Sequence, residues 1–145
     1  GARSPIRESS PVMDEPHITI RFDGNGRIYR PGEALAGEYR INSVDPAEVK
    51  AVEVSVLWHT EGKGGEDLAV HYFRRLSRES GDWIDPARPG RFSTTLPNSP
   101  LTYNGVIVKI RWCARVRAFL ERSKEVFGEV PFRLGDVPVA RAVAS

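Results

Sequence analysis

A chain of 145 residues has the size of one domain and buries roughly 70% of its unfolded surface, so one self-sufficient core is expected. Hydrophobic residues at 40% and charged residues at 28%, with the signs interleaved, exclude long-range disorder; 21 Lys and Arg against 19 Asp and Glu exclude the cationic excess of a dedicated nucleic-acid binder. Cys113 is the one cysteine, which removes an intramolecular disulfide and a cysteine-based zinc site and favours a cytoplasmic setting.

Residues 1–16 hold Ser4, Pro5, Ser9, Ser10, Pro11 and Pro16 without the apolar core of a signal peptide, and read as a flexible tail. No apolar run approaches the about 18 residues of a spanning helix, so no membrane insertion is expected. From His17 onward apolar residues recur at every second position, the period of a half-buried strand. Ile18, Ile20 and Phe22 alternate with Thr19 and Arg21 until Asp23-Gly24-Asn25-Gly26 turns the chain. Pro31-Gly32 punctuates again, and Leu35, Gly37, Tyr39 and Ile41 share one parity in a strand over 34–42. Val52, Val54, Val56 and Trp58 alternate with Glu53, Ser55, Leu57 and His59; Glu61-Gly62-Lys63-Gly64-Gly65-Glu66 then connects to a hairpin partner over 68–76. Gly81, Pro86, Pro89 and Gly90 keep 77–90 irregular, and Phe92, Thr94 and Leu96 resume a short strand. The longest late strand turns Val106, Val108, Ile110, Trp112, Ala114 and Val116 one way and Lys109, Arg111, Cys113, Arg115 and Arg117 the other; Val130, Phe132 and Leu134 close the pattern.

About seven strands and no amphipathic helix predict an all-β fold, a two-sheet antiparallel sandwich of the immunoglobulin-like kind, with a barrel as the second architecture. The sandwich is expected over 17–137, with a second tail over 138–145. Its expected core contains Ile18, Ile20, Tyr39, Val54, Val56, Trp58, Val108, Ile110, Trp112 and Phe132.

Tyr29-Arg30-Pro31-Gly32-Glu33, followed by Leu35 and Gly37, resembles the first long turn and second strand of arrestin-like domains. Leu96-Pro97-Asn98-Ser99-Pro100, then Gly105 and the long strand, resembles the Leu-Pro turn that precedes their longest late strand. Over most of 17–134 the chain is similar to the amino-terminal sandwich of the arrestin clan, which includes arrestins and the cargo-binding subunit of retromer. The resemblance implies a non-enzymatic protein-interaction or scaffolding module. Only one of the two sandwiches of a full arrestin fits, and no phosphate-sensing charged core is identified, so receptor binding is not implied.

Catalytic signatures are missing from the pattern. No Gly-x-Ser-x-Gly elbow occurs, Cys113 lies mid-strand, and Gly62-Lys63-Gly64-Gly65 lacks phosphate-loop spacing. No cofactor is expected. Folding the hairpin about Gly65 would set His59 opposite His71 on the outer face, but with only Glu61 and Asp67 nearby a zinc site is short of ligands. Trp83 and Tyr103 are candidate ligand or partner contacts, and if exposed and coplanar they would make a carbohydrate-binding sandwich the alternative reading. A turn around Arg122 would place Ala114 opposite Val130, Trp112 opposite Phe132 and Ile110 opposite Leu134. Arg115 then faces Glu129, Arg117 faces Phe127 as a cation-π candidate, and Arg111 meets Arg133 uncompensated, a candidate contact for an anionic partner. The expected partner is another protein, recruited by a strand edge or by the irregular 77–90 segment; its identity and the oligomeric state are not readable.

Overall fold

Each long alternating run from His17 onward forms a strand, because alternate side chains find a core on one face and water on the other. The computed structural model describes residues 15–24, 26–62 and 64–135. Residues 1–14 of the expected first tail, all of the expected second tail over 138–145, the last two positions of the expected sandwich (136–137), and the turn residues Asn25 and Lys63 lie outside the described residues.

The strands are β1 (His17–Phe22), β2 (Ile28–Tyr29), β3 (Ala34–Asn42), β4 (Val49–Gly62), β5 (Leu68–Ser77), β6 (Gly90–Thr95), β7 (Tyr103–Asn104), β8 (Val108–Leu120) and β9 (Lys124–Leu134). Seven are the long runs read from the pattern; β2 and β7, two residues each, are additions that alternation cannot reveal. One sheet has the order β1-β3-β6 and the other β2-β9-β8-β4-β5, with β7 beside β8. The sheets pack face to face as an all-β sandwich, antiparallel except where β2 runs parallel to β9.

Between the sheets, Phe22, Tyr29, Phe92, Phe132 and Trp112 interlock. Phe22 meets Tyr29, Phe92 and Phe132 edge to face at 6.0, 6.5 and 5.8 Å, and Trp112 meets Phe132 at 5.8 Å. Trp112 is 1% exposed, and its indole N–H donates to the Pro100 carbonyl at 2.7 Å. Gly37 leaves the space these rings use: a Cβ there would stand 2.7 Å from the Arg21 carbonyl oxygen and 3.0 Å from the Phe92 ring. Tyr39, Val54 and Val56 join the core as expected, while Ile20, Trp58 and Ile110 are half-buried. Val108 is a correction: it is exposed, because β8 begins there instead of at Val106.

The Pro31-Gly32-Glu33 turn closes through the Glu33 N–H donating to the Arg30 carbonyl (2.9 Å) and the Arg30 N–H donating to Glu33 Oε1 (2.8 Å), with Gly32 at φ +84°. It is tied to the Leu-Pro turn, since the Gly32 N–H donates to the Leu96 carbonyl (3.0 Å) and the Leu96 N–H to the Glu33 carbonyl (2.9 Å). The two segments that carry the arrestin resemblance are therefore one hydrogen-bonded unit.

A bulge overturns the expected histidine pair. Val56 pairs with Tyr72 but Leu57 with Val70, so the extra residue, His71, leaves the outer face while His59 pairs with Leu68. His71 packs edge-on against Trp112 and its Nε2 donates to the Thr95 carbonyl at 2.8 Å. Arg74 on the same strand donates to the Arg91 carbonyl at 2.7 Å. Side chains of β5 thus cover part of the free edge of β6. The 77–90 segment is also less free than expected. Arg78 donates to the carbonyls of Val49 (2.7 Å) and Ile84 (3.0 Å), Asp82 accepts from the Ser77 N–H (2.8 Å), and Ile84 is buried.

On the outer face of the larger sheet, Val70, Leu57, Cys113 and Pro131 stand in one cross-strand row. Leu57 and Cys113 are buried although they face away from the core. Burial pushes the Cys113 thiol up to about 12, and the neighbouring Glu129 carboxylate adds to the shift.

Two measurements check these assignments. Trp112→Ala should cost about 3–5 kcal/mol in urea unfolding, since it empties the aromatic cluster. A native midpoint would contradict the packing. At pH 8 the Cys113 thiolate fraction should be roughly a thousandfold below that of an ordinary thiol, so iodoacetamide should label the chain only after unfolding. Fast native labelling would show that the row is open.

Candidate functional site

β8 and β9 leave the turn at Arg122 in the expected register. Arg117 faces Phe127, Arg115 faces Glu129, Ala114 faces Val130 and Trp112 faces Phe132. Beyond Trp112 they part. β7 takes the place beside β8, pairing Tyr103 with Ile110 and Asn104 with Lys109. Thr102 holds β9 instead: its N–H donates to the Leu134 carbonyl (2.9 Å) and its hydroxyl accepts from the Leu134 N–H (2.7 Å). On the far side of β9, the Arg133 N–H donates to the Arg27 carbonyl at 2.8 Å. The expected pairing of Ile110 with Leu134 and of Arg111 with Arg133 is therefore not formed, because a third segment enters between the strands.

Where the strands part, a cleft of about 270 Å³ opens. Arg27, Arg111 and Arg133 line it together with Thr102, and its apolar lining comes from Ile28, Trp112, Pro131 and Phe132. The two arginines singled out in the sequence thus share one cleft without being strand partners. Arg27 is the member that sequence reasoning missed, since it lies in an irregular connection and reaches the cleft only through β2. Arg111 is not uncompensated: its Nε donates to Glu61 Oε1 at 2.9 Å, which holds the Glu61 carboxyl below its ordinary value. The stripe is otherwise balanced by Arg115 with Glu129 (2.9 Å) and Arg117 with Glu125 (3.7 Å). The guanidinium of Arg117 lies over Phe119 at 6.0 Å rather than over Phe127.

Beside the cleft, the connection from β7 to β8 projects apolar side chains into water. Val106 is 95% exposed and Ile107 is 72% exposed. Alternation gives Val106 the same facing as Trp112, but β8 starts two residues later and nothing from the facing sheet covers the connection. Tyr103, at 44%, adjoins this tip. Trp83, at 81%, borders a different cleft with Val52, Leu76 and Ile84. Tyr103 stands two strands from Thr60, through Ile110, whereas Trp83 lies by Val52, eight positions back along β4 and about 27 Å away at strand rise. The two aromatics are exposed but form no common sugar platform. Among the described residues no group of three or more His, Cys, Asp and Glu side chains is assembled as a metal site, and no helix is long and apolar enough to cross a membrane.

No protein-family model and no curated protein sequence matches the chain. Its structure is similar to that of Spo0M, a sporulation control protein from Bacillus subtilis, with a TM-score of 0.58 and 14% sequence identity, over 84% of this chain and 50% of that one. The chain thus spans half the length of Spo0M, and at this identity the likeness is one of fold. Superoxide reductase (neelaredoxin) from Ignicoccus hospitalis aligns over 82% of this chain and 80% of its own, with 6% identity and a TM-score of 0.49, too low to carry an inference.

Proposed function

We propose that this chain is a non-enzymatic protein-interaction module of arrestin-like build, which holds its partner at the sandwich end that carries the connection from β7 to β8. The observation that carries this reading is the apolar tip. Val106 and Ile107 stand almost free of the fold, and covering an aliphatic side chain is worth about 1.5–3 kcal/mol. A connection that contributes nothing to its own core while exposing adjacent β-branched residues is suited to enter a pocket on another protein. The hydrogen-bonded unit of the Pro-Gly-Glu and Leu-Pro turns supports the arrestin-like part of the reading. The fold likeness to a protein described as a sporulation control protein accords with regulation rather than turnover.

The test is paired capture from the native source with the wild-type chain and a Val106→Asp/Ile107→Asp variant, with a photo-crosslinking residue at Tyr103. The variant should unfold at the wild-type temperature, since neither side chain is part of the core, and lose the crosslinked partner. Equal crosslinking by both proteins would sink this reading, and so would a crosslink solely to a second copy of the chain.

A further inference from the structure

We infer that Gly62 and Tyr103 hold the apolar tip between β7 and β8 in one fixed geometry, which makes Gly62, at the end of β4, a positioning residue for the contact that Val106 and Ile107 make. This rests on the reading that the tip enters a partner protein, and adds what keeps it in shape to do so.

The tip is the apex of a tight hairpin. Asn104 pairs with Lys109 and the Gly105 N–H donates to the Val108 carbonyl at 3.1 Å, so Val106 and Ile107 are the two residues that turn the chain. Two-residue hairpin turns match the twist of their strands when positive φ is available, which is why Asn-Gly is favoured there. Neither Val106 nor Ile107 has a positive φ, and branched side chains resist one, so the turn's own chemistry would splay the strands. Two outside contacts hold it closed. On one side Val108 pairs with Gly62, and the Ile107 carbonyl lies so close to Gly62 that a Cβ there would collide with it and stand 3.1 Å from the Val108 Cα. Gly62 also sits at φ +152°, which an L side chain rarely adopts. On the other side the Tyr103 ring lies over the buried Gly105, where a Cβ would stand 2.7 Å from Tyr103 Cζ. Val106 and Ile107 suit neither their turn nor a core, yet backbone braces them on one side and a ring on the other. Their side chains are thus presented by an ordered backbone, and an ordered anchor loses less freedom on binding.

The test reads the tip first in the isolated chain, through the NMR order parameters of the Val106 and Ile107 amides. They should lie near the rigid-backbone value of about 0.85 in the wild type and fall below about 0.6 in Gly62→Ala. Gly65→Ala, in the loop between β4 and β5 with nothing within 4 Å of an added Cβ, should leave them unchanged. Tyr103→Ala adds no backbone strain and should loosen the same amides, which keeps the test decisive if Gly62→Ala fails to fold. A wild-type tip below about 0.6, or wild-type values in whichever of these two variants folds, would overturn the brace. With a photo-crosslinking residue at Lys109, Gly62→Ala keeps both Val106 and Ile107 and should still lose about fivefold or more of the partner crosslink. A full crosslink from a loosened tip would overturn the positioning role. No crosslink even from the wild type, with the order parameters as expected, would instead remove the partner reading and leave the brace standing.

Discussion

Phe22 touches Tyr29, Phe92 and Phe132 at once, and through Phe132 it reaches Trp112. These rings belong to five strands or strand ends of both sheets, so the spacing between the sheets is set by edge-to-face contact between aromatic faces rather than by aliphatic filling alone. The cluster works only where backbone can come close. Gly37 admits the Phe92 ring between β1 and β6, and Gly128 lets β9 approach the Ile18 carbonyl of β1, where a Cβ would stand 2.7 Å away. The indole of Trp112, bonded to the Pro100 carbonyl, then anchors the Leu-Pro turn against the core.

This packing decides how the sandwich edges are used. On one side the side chains of His71 and Arg74 cross from β5 to the carbonyls of β6, and on the other β1 lies against β9. Backbone groups that could pair with a foreign strand are partly engaged on both sides, a common protection against edge-to-edge association. The remaining irregularity lies at the end where β8 and β9 separate. There Thr102 and β7 satisfy backbone groups that the parted strands leave open, and the same separation creates the cleft and frees the apolar connection.

The arginine stripe on the outer sheet face has a structural explanation for most of its length. Arg115 and Arg117 meet carboxylates of β9, and Arg111 meets one from β4. Exposed pairs of this kind contribute about 0–1 kcal/mol each, so they do more to settle register and solubility than stability. Beneath them Leu57 and Cys113 are buried on the outer face, and burial raises the Cys113 thiol beside Glu129.

Strand identity and facing were legible in the sequence alone because alternation is a local property with a period of two. It gave the seven long strands, the register that sets Arg115 against Glu129, and a core around Val54, Val56, Trp112 and Phe132. The same rule began the strand at Val106 and put Val108 in the core, since parity says which way a side chain points but not whether anything covers it. Pairing across distance decided the rest. The bulge at His71 separated the two histidines, the entry of Thr102 and β7 kept Arg111 from Arg133, and strand length put Trp83 and Tyr103 at different ends. Arg27 joined the cleft only because β2 runs beside β9. The places of Thr102 and Arg27 depend on contacts with β9 far along the chain, which local periodicity does not encode, and the bulge is an irregularity of pairing within the β4–β5 hairpin that alternation does not register.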